Sequence, residues 1–172
     1  MWKSDGQKER KVTRLAEYDY SGAGVYFVTI CTKNRRCILS KIVGAGVLDS
    51  PKVILTKYGN VAEKQIQVMD ELYENLCVDK YVIMPNHIHL LIRILSTNEY
   101  GPSRTPVPTR NSIISRFVST FKRYCDKEYG ENIWQPRSYD RVIRNDVEYQ
   151  KIWQYIDENP IKWELDKFYK TR

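Results

Sequence analysis

The only two histidines of the chain, His87 and His89, lie at alternate positions of one apolar run, MPNHIHLLIRI at 84–94. This run predicts a β-strand, in which successive side chains point to opposite faces of the sheet. The two imidazoles therefore share one face, while Ile88 points to the other. Neutral imidazole is the commonest metal ligand in proteins. The pair is therefore either half of a metal site or two hydrogen-bonded strand histidines without a metal.

The length and composition of the chain predict one globular domain. Its 172 residues, 42% hydrophobic and 28% charged, are enough to bury a core. Two segments depart from this pattern: a basic N-terminal arm at about 1–20 and a flexible, proline-rich connector at about 96–110. No apolar run reaches the roughly 18 residues of a membrane span, and no secretory signal is visible. We therefore expect a cytoplasmic, nucleoid-associated protein with no membrane partner, whose four cysteines are reduced thiols.

The charge of the chain points to a polyanionic partner. The formal net charge is +7, and the basic residues concentrate in the two ends of the chain, on either side of a slightly acidic middle. Thirteen tyrosines and four tryptophans accompany this charge. Basic surfaces attract phosphates and aromatic rings stack on unpaired bases, so a nucleic acid is the partner that this composition favours.

The hydrophobic patterns predict an α+β fold, with helices packed on an antiparallel β-sheet. Pro85 and Asn86 predict a tight turn between two adjacent strands. Asn145 predicts the N-cap of the last helix, Glu148 completes a capping-box pattern, and Pro160 ends that helix. The predicted order is a strand at 24–33, an extra hairpin at 37–55, a helix at 57–76, strands at 78–86 and 87–95, a helix at 111–130, a loop with a short strand at 133–144, and a helix from 145 to 160.

The last predicted helix offers groups that complement the histidines. Tyr155 and Asn159 are four residues apart and therefore share a helical face. The amide oxygen of Asn159 is a ligand for a hard cation, and the Tyr155 phenol is a nucleophile. Tyr149, on the same helix, has Trp153 at the equivalent offset, which cannot ligate a cation. The alternative is that Tyr155 is a core aromatic and Asn159 an ordinary residue at the helix end.

Four segments of the sequence, taken together, resemble the REP-associated tyrosine transposases, in the single-tyrosine branch of the HUH endonuclease superfamily. They are YSGAGVYFVTICTKNRR, VIMPNHIHLLIRI, IWQPRSYDRVIRN and IWQYIDENPIKW, in this order along the chain. The resemblance implies one HUH transposase domain over residues 1–172, with a ferredoxin-like or RRM-like fold. It also implies that His87 and His89 are metal ligands, that Tyr155 is the catalytic nucleophile, and that Asn159 is the polar metal ligand that follows it.

The same resemblance implies an activity and its requirements. The protein is expected to use Mg²⁺ or Mn²⁺ and to cleave single-stranded DNA beside the hairpins of REP-like palindromes, through a 5′-phosphotyrosine intermediate that permits rejoining. It is expected to act as a monomer or homodimer. The candidate DNA-binding residues are basic or aromatic: Arg35, Arg36, Arg116, Lys122, Arg123, Trp134, Arg137 and Tyr139. For Trp134 and Tyr139, stacking on bases and packing in the protein are both open.

Three other functions compete with this one. A domesticated protein that binds hairpin DNA without cutting it shares the fold, and so does a small replication-initiator or relaxase-type nuclease. A phosphoesterase with two His-x-Ser/Thr motifs is excluded, because both histidines lie in a single His-Ile-His.

Overall fold

A computed structural model of the chain describes residues 23–44, 51–95 and 112–165. The predicted basic arm at about 1–20 and the connector at about 96–110 lie outside these residues. The elements are β1 (Gly24–Cys31), β2 (Ser40–Val43), β3 (Lys52–Leu55), α1 (Lys57–Leu72), β4 (Leu76–Met84), β5 (His87–Ile94), α2 (Ile113–Tyr129), β6 (Tyr139–Ile143) and α3 (Asp146–Glu158). None of the helices in these ranges is both long and apolar enough to cross a membrane.

The fold is α+β, which confirms the predicted class. Four antiparallel strands form one sheet in the order β4-β5-β1-β6, and β2 pairs with β3 in a separate two-stranded sheet that corresponds to the predicted extra hairpin. Met84 is paired with His87, so Pro85 and Asn86 form the predicted two-residue turn. The register across β1 matters for the site: Cys31 lies opposite His87, and Thr29 lies opposite both His89 and Tyr139.

The alternation of side chains along the strands divides the core into two layers. One face of the sheet packs against α1 and α2, and this layer contains Tyr26, Val28 and Phe117. The other face packs against α3 through Phe27, Leu91, Ile143 and Ile156, with Tyr155 beside them. The two histidines are in phase with Leu91 along β5, so they lie on the face that α3 covers.

The end of α1 differs from the predicted one. The helix was expected to continue to Leu76, but it ends at Leu72, and Tyr73 has an extended backbone. Leu76 instead begins β4, where it pairs with Ile94. The four-residue spacing of Leu72 and Leu76 is that of one helical face, but Leu72 is 68% exposed at the end of the helix, whereas Leu76 is buried in the sheet.

The caps of α3 are close to the predicted ones. The Asn145 side chain accepts a hydrogen bond from the Glu148 backbone N–H at 2.9 Å, as an N-cap should. In a capping box the Glu148 carboxylate would accept a hydrogen bond from the Asn145 N–H. Here it accepts from the N–H of the preceding residue, Arg144, at 2.8 Å. Asn159 caps the C-terminus directly before Pro160.

We expect Gly59→Ala to destabilise the protein by about 1–3 kcal/mol, the usual cost of forcing a methyl group into a packed interior. A Cβ at Gly59 would lie 2.1 Å from the Leu39 carbonyl oxygen. The Leu39 N–H donates to the Pro85 carbonyl in the turn before His87, so the strain also reaches this turn. Urea unfolding measures the effect, with Asn60→Ala on the exposed side of α1 as the control. Equal midpoints for the two variants would contradict the close approach.

Candidate active site

The two histidine side chains meet at their outer ring nitrogens. His87 is fully buried and His89 is 1% exposed. Their Nε2 atoms are 3.1 Å apart. Two ligands of one octahedral cation at right angles are about 3 Å apart when each bond is about 2.1 Å long. The separation of the two nitrogens fits a shared cation, and it also fits a hydrogen bond between the two rings.

The inner ring nitrogens set the orientation of both imidazoles. His87 Nδ1 is 2.9 Å from the Asn86 side-chain oxygen, which only accepts hydrogen bonds, so Nδ1 carries the hydrogen and Nε2 presents a lone pair. His89 Nδ1 is 2.9 Å from the Thr29 hydroxyl, which can either donate or accept. When the hydroxyl accepts, His89 Nε2 also presents a lone pair. Such partners fix the tautomer of metal-binding histidines.

Tyr155 reaches the same point from α3. Its hydroxyl oxygen is 3.3 Å from His89 Nε2. Phe27 supports both rings, because it contacts His89 with centroids 4.9 Å apart and Tyr155 edge-on at 5.9 Å. The tyrosine is half-buried, so its ring is held by packing on the sheet while the hydroxyl lies beside the histidine pair.

Asn159 supplies the unsatisfied polar atom of this region. Its backbone keeps helical angles, so it stays on the same face as Tyr155, one turn further on. Tyr155 contacts His89, and Trp163 lies 6.1 Å from the ring of His87, so residues on both sides of Asn159 in sequence contact the histidine pair. Its Oδ1 is buried and has no hydrogen-bond partner among the described residues. Leaving a buried acceptor unpaired costs about 1–3 kcal/mol.

The donor set fits a divalent cation. In the described ranges, no group of three His, Cys, Asp or Glu side chains is placed to hold a metal. A third protein ligand for a cation at His87 and His89 would therefore be of another type, and the unpaired oxygen of Asn159 has the chemistry for this role. Two imidazole nitrogens and one amide oxygen leave positions open for phosphate oxygens or water.

Ion pairs and hydrogen bonds fix α3 on the sheet. Lys80 forms an ion pair with Asp157 at 2.7 Å, and its ammonium lies 4.1 Å from the centre of the Trp153 ring. The Tyr149 hydroxyl donates to Asp79 at 3.0 Å. Burial, together with this hydrogen bond, raises the pKa of the Tyr149 phenol. Tyr149 therefore anchors the helix, whereas Tyr155 is the tyrosine of α3 that meets the histidines.

Among the predicted DNA-binding residues, Arg35 contacts a residue that is paired with His87. Its guanidinium is 2.8 Å from the Cys31 sulfur, and Cys31 is directly opposite His87 in the sheet. The neighbouring Arg36 is exposed and pairs with Glu131 at 3.4 Å.

The other predicted DNA-binding residues lie on α2, in the segment after it and at the start of β6. Trp134 is 3% exposed and packs against Phe121, so its ring belongs to the core and offers no stacking surface. The Lys122 ammonium donates to the Gln135 carbonyl at 2.7 Å. The exposed members of the set are Arg116, Arg123, Arg137 and Tyr139.

The sequence reasoning overlooked the two residues that orient the imidazoles. Thr29 is a polar residue in the otherwise apolar stretch VYFVTIC, which is a signal for an inward polar contact. Asn86 directly precedes His87 and was read only as a turn residue. The partner of Thr29 could be found only once the register of β1 and β5 was known.

Known proteins resemble this chain in sequence and in fold. An uncharacterised protein of Haemophilus influenzae is 30% identical over 180 residues, which cover 95% of each chain. A REP-associated tyrosine transposase of Escherichia coli is 24% identical over 151 residues, covering 86% of this chain and 74% of that protein. The solved structure of a REP-associated tyrosine transposase bound to a REP hairpin matches with a TM-score of 0.60 and 22% identity, covering 90% of this chain and 76% of the other. No protein-family model matches the chain.

These similarities confirm the resemblance that the four sequence segments indicated. They extend over nearly the whole chain rather than over the His-Ile-His segment alone. The strands and helices described above also match the fold of the solved transposase. The chain is a homologue of the REP-associated tyrosine transposases and shares the fold of the solved one.

Proposed function

We propose that the protein is a metal-dependent endonuclease and strand transferase for single-stranded DNA, which cleaves beside DNA hairpins through a 5′-phosphotyrosine intermediate. One observation carries this proposal: the Tyr155 hydroxyl lies 3.3 Å from His89 Nε2, which is itself 3.1 Å from His87 Nε2. The relative in the solved complex is bound to a REP hairpin, which supports hairpin DNA as the substrate.

The metal ligands in this proposal are His87, His89 and Asn159, and the cation is Mg²⁺ or Mn²⁺. Amide oxygens, water and phosphate oxygens suit these hard cations. When bound, the cation supplies Lewis-acid stabilisation of the charge that develops on the scissile phosphate.

The residues of the chain carry out the displacement itself. The Tyr155 oxygen forms a bond to phosphorus while the bond from phosphorus to the DNA 3′-oxygen breaks. The phenol loses its proton as it attacks, and the departing 3′-oxygen takes up a proton. Arg35, which contacts Cys31 opposite His87, is the residue that we propose to neutralise phosphate charge. The phosphotyrosine remains a phosphodiester, so another 3′-hydroxyl can attack it and rejoin DNA without an external energy source.

A gel assay with a labelled DNA hairpin that carries single-stranded flanks tests this function. In the presence of Mn²⁺ or Mg²⁺ we expect a covalent protein–DNA band under denaturing conditions, and no such band when EDTA is present. Binding of the hairpin is measured in parallel by fluorescence anisotropy. Tight binding without a covalent band would identify the protein as a non-cleaving hairpin-binding protein, and the proposed chemistry would be wrong.

DNA affinity is expected to fall steeply as salt rises. Each phosphate that a Lys or Arg neutralises releases counterions, so a protein that contacts several phosphates loses on the order of 10³-fold or more in affinity between 50 and 200 mM salt. Anisotropy titrations at several KCl concentrations measure the slope of log affinity against log salt concentration. Arg116 is an exposed predicted DNA contact on α2. We expect Arg116→Ala to lower the magnitude of the slope of log affinity against log salt concentration by about one. A flat salt dependence of the wild type would contradict a phosphate-binding surface.

Thr29→Val is expected to weaken the binding of Mn²⁺ about 10-fold or more, the usual cost of removing a residue that orients a metal-binding histidine. Valine has nearly the shape of threonine but offers no hydrogen-bond partner to His89 Nδ1. Calorimetric titration with MnCl₂ measures the effect, and Thr29→Ser, which keeps the hydroxyl, is the control. Equal affinities of the valine and serine variants would show that this hydroxyl does not orient His89.

A further inference from the structure

The turn that follows β1 has an arginine at a position where glycine is the usual residue. The Arg36 N–H donates to the Lys33 carbonyl at 3.3 Å, which closes a four-residue turn. Its two central residues both have positive φ, 56° at Asn34 and 57° at Arg35. Positive φ at both central positions is the mark of a type I′ turn, in which Asn-Gly is the preferred pair. Asn34 matches this preference, whereas Arg35 occupies the glycine position.

A side chain at this position makes the backbone conformation unfavourable. In the left-handed region the Cβ atom comes too close to the following carbonyl oxygen, and glycine avoids this contact because it has no Cβ. Strained backbone of this kind persists where the surrounding structure fixes it, and it is concentrated at active sites and ligand clamps. The arginine at the glycine position therefore lowers stability, which indicates that its guanidinium has a role of its own.

Hydrogen bonds fix this turn against the segment that precedes His87. The Thr32 N–H donates to the Asn86 carbonyl at 3.0 Å, and the Thr32 hydroxyl donates to the Arg36 carbonyl at 2.8 Å. Thr32 is fully buried. The side chain of Asn86 is also the partner of His87 Nδ1. Asn86 therefore connects the turn that carries Arg35 to one imidazole of the candidate site.

Cys31 links Arg35 to the histidine face of the sheet. Directly opposed residues of antiparallel strands share a face, with Cβ atoms about 5 Å apart, and Cys31 is opposed to His87. The Arg35 guanidinium is 2.8 Å from the Cys31 sulfur. A thiol sulfur is a weak acceptor, whereas a phosphate accepts two strong, charge-assisted hydrogen bonds from a guanidinium. A phosphate bound at the histidines is therefore a better partner for Arg35 than the sulfur.

We propose that the turn at 33–36 holds Arg35 ready for catalysis, and that its guanidinium leaves the Cys31 sulfur for the scissile phosphate when Tyr155 attacks. Arg35 is then a catalytic residue that acts mainly in the transition state, where negative charge develops on the phosphate oxygens. The strain at the glycine position is the loss of stability that accompanies this role. This inference rests on the proposed function, and it adds a positive charge that the chain itself supplies in addition to the proposed cation.

Replacement of Arg35 by glycine tests the inference, because it removes the guanidinium and relieves the strain together. We expect the maximal rate of covalent adduct formation with Mn²⁺ to fall at least about 100-fold, the usual loss when a group that stabilises transition-state charge is removed. The concentration of flanked hairpin that gives half the maximal rate should change little. The urea midpoint of Arg35→Gly should equal or exceed that of the wild type, because glycine adopts positive φ without strain.

Two further variants separate the guanidinium from the backbone and from charge in general. Arg35→Ala lacks the guanidinium but keeps a Cβ at the strained position, so it should lose as much rate as Arg35→Gly and unfold at a lower urea concentration than Arg35→Gly. Lys33→Ala removes a positive charge from the exposed start of the same turn. It should keep the maximal rate of the wild type.

The outcomes separate this inference from the function on which it rests. If the wild type forms no covalent adduct, the proposed function is wrong and this inference is wrong with it. If the wild type forms the adduct, an unchanged maximal rate in Arg35→Gly would overturn this inference alone, even with a higher half-maximal DNA concentration, which is the effect of an ordinary phosphate contact. An equal loss of rate in Lys33→Ala would also overturn it. A lower urea midpoint of Arg35→Gly than of the wild type would give Arg35 a structural role instead.

Discussion

Tyr155→Phe is expected to abolish the covalent protein–DNA adduct, with a loss of cleavage of at least about a thousandfold, as for the removal of other catalytic nucleophiles. The substitution deletes only the oxygen that lies 3.3 Å from His89 Nε2. The ring keeps its contact with Phe27, so the fold, DNA affinity and metal affinity should remain within about twofold of the wild type. Denaturing gels measure the adduct, and anisotropy measures DNA binding.

Tyr149→Phe is the matched control on the same helix. It removes the hydrogen bond to Asp79, which should cost about 1 kcal/mol of stability, but it should leave the adduct intact. Tyr124→Phe and Tyr139→Phe extend the control to exposed tyrosines. If Tyr155→Phe cleaved DNA as well as these variants do, Tyr155 would be only a core aromatic.

His87→Ala and His89→Ala are expected to reduce metal-dependent cleavage by at least about 100-fold, because each removes one ligand of the proposed cation. Hairpin affinity without added metal should change little, since the basic side chains and not the neutral imidazoles are expected to hold the phosphates. Cleavage is measured over a range of Mn²⁺ concentrations, and high Mn²⁺ should restore part of the activity by mass action.

Both histidines are buried, so the fold of these variants must be checked by urea unfolding. Asn159→Ala provides a third variant with less risk to the sheet, because the Asn159 oxygen has no hydrogen-bond partner to lose among the described residues. It should raise the Mn²⁺ concentration needed for cleavage. Folded histidine variants that lose binding and cleavage equally would show a structural role for the pair.

Local patterns in the sequence were sufficient for most of the fold. The helix predicted at 111–130, the turn at Pro85–Asn86 and the N-cap at Asn145 each depend on residues close together in sequence, and the structure has each of them within two residues of the predicted place. The predicted end of α1 was wrong, because Leu76 fits the apolar spacing of a helix as well as that of a strand. Its pairing with Ile94, which decides between the two, is a contact between distant residues.

The candidate site likewise combines local patterns, which the sequence shows, with contacts between distant residues, which it does not. The alternation of His87 and His89 and the spacing of Tyr155 and Asn159 are local, but only the packing of α3 on one face of the sheet shows that Tyr155 meets His89. The roles of these residues in metal binding and cleavage remain predictions. Trp134 could not be assigned from sequence, because its burial depends on Phe121, which lies in a different element.

The attacking residue is the central claim, and mapping the DNA-linked peptide tests it most directly. The wild-type protein is incubated with a flanked hairpin and Mn²⁺, digested with a protease, and the peptide that carries nucleotides is sequenced by mass spectrometry. The account predicts that the nucleotides are attached within IWQYIDENPIK at 152–162, on Tyr155. Attachment to Tyr124, Tyr139 or Tyr149 would contradict it.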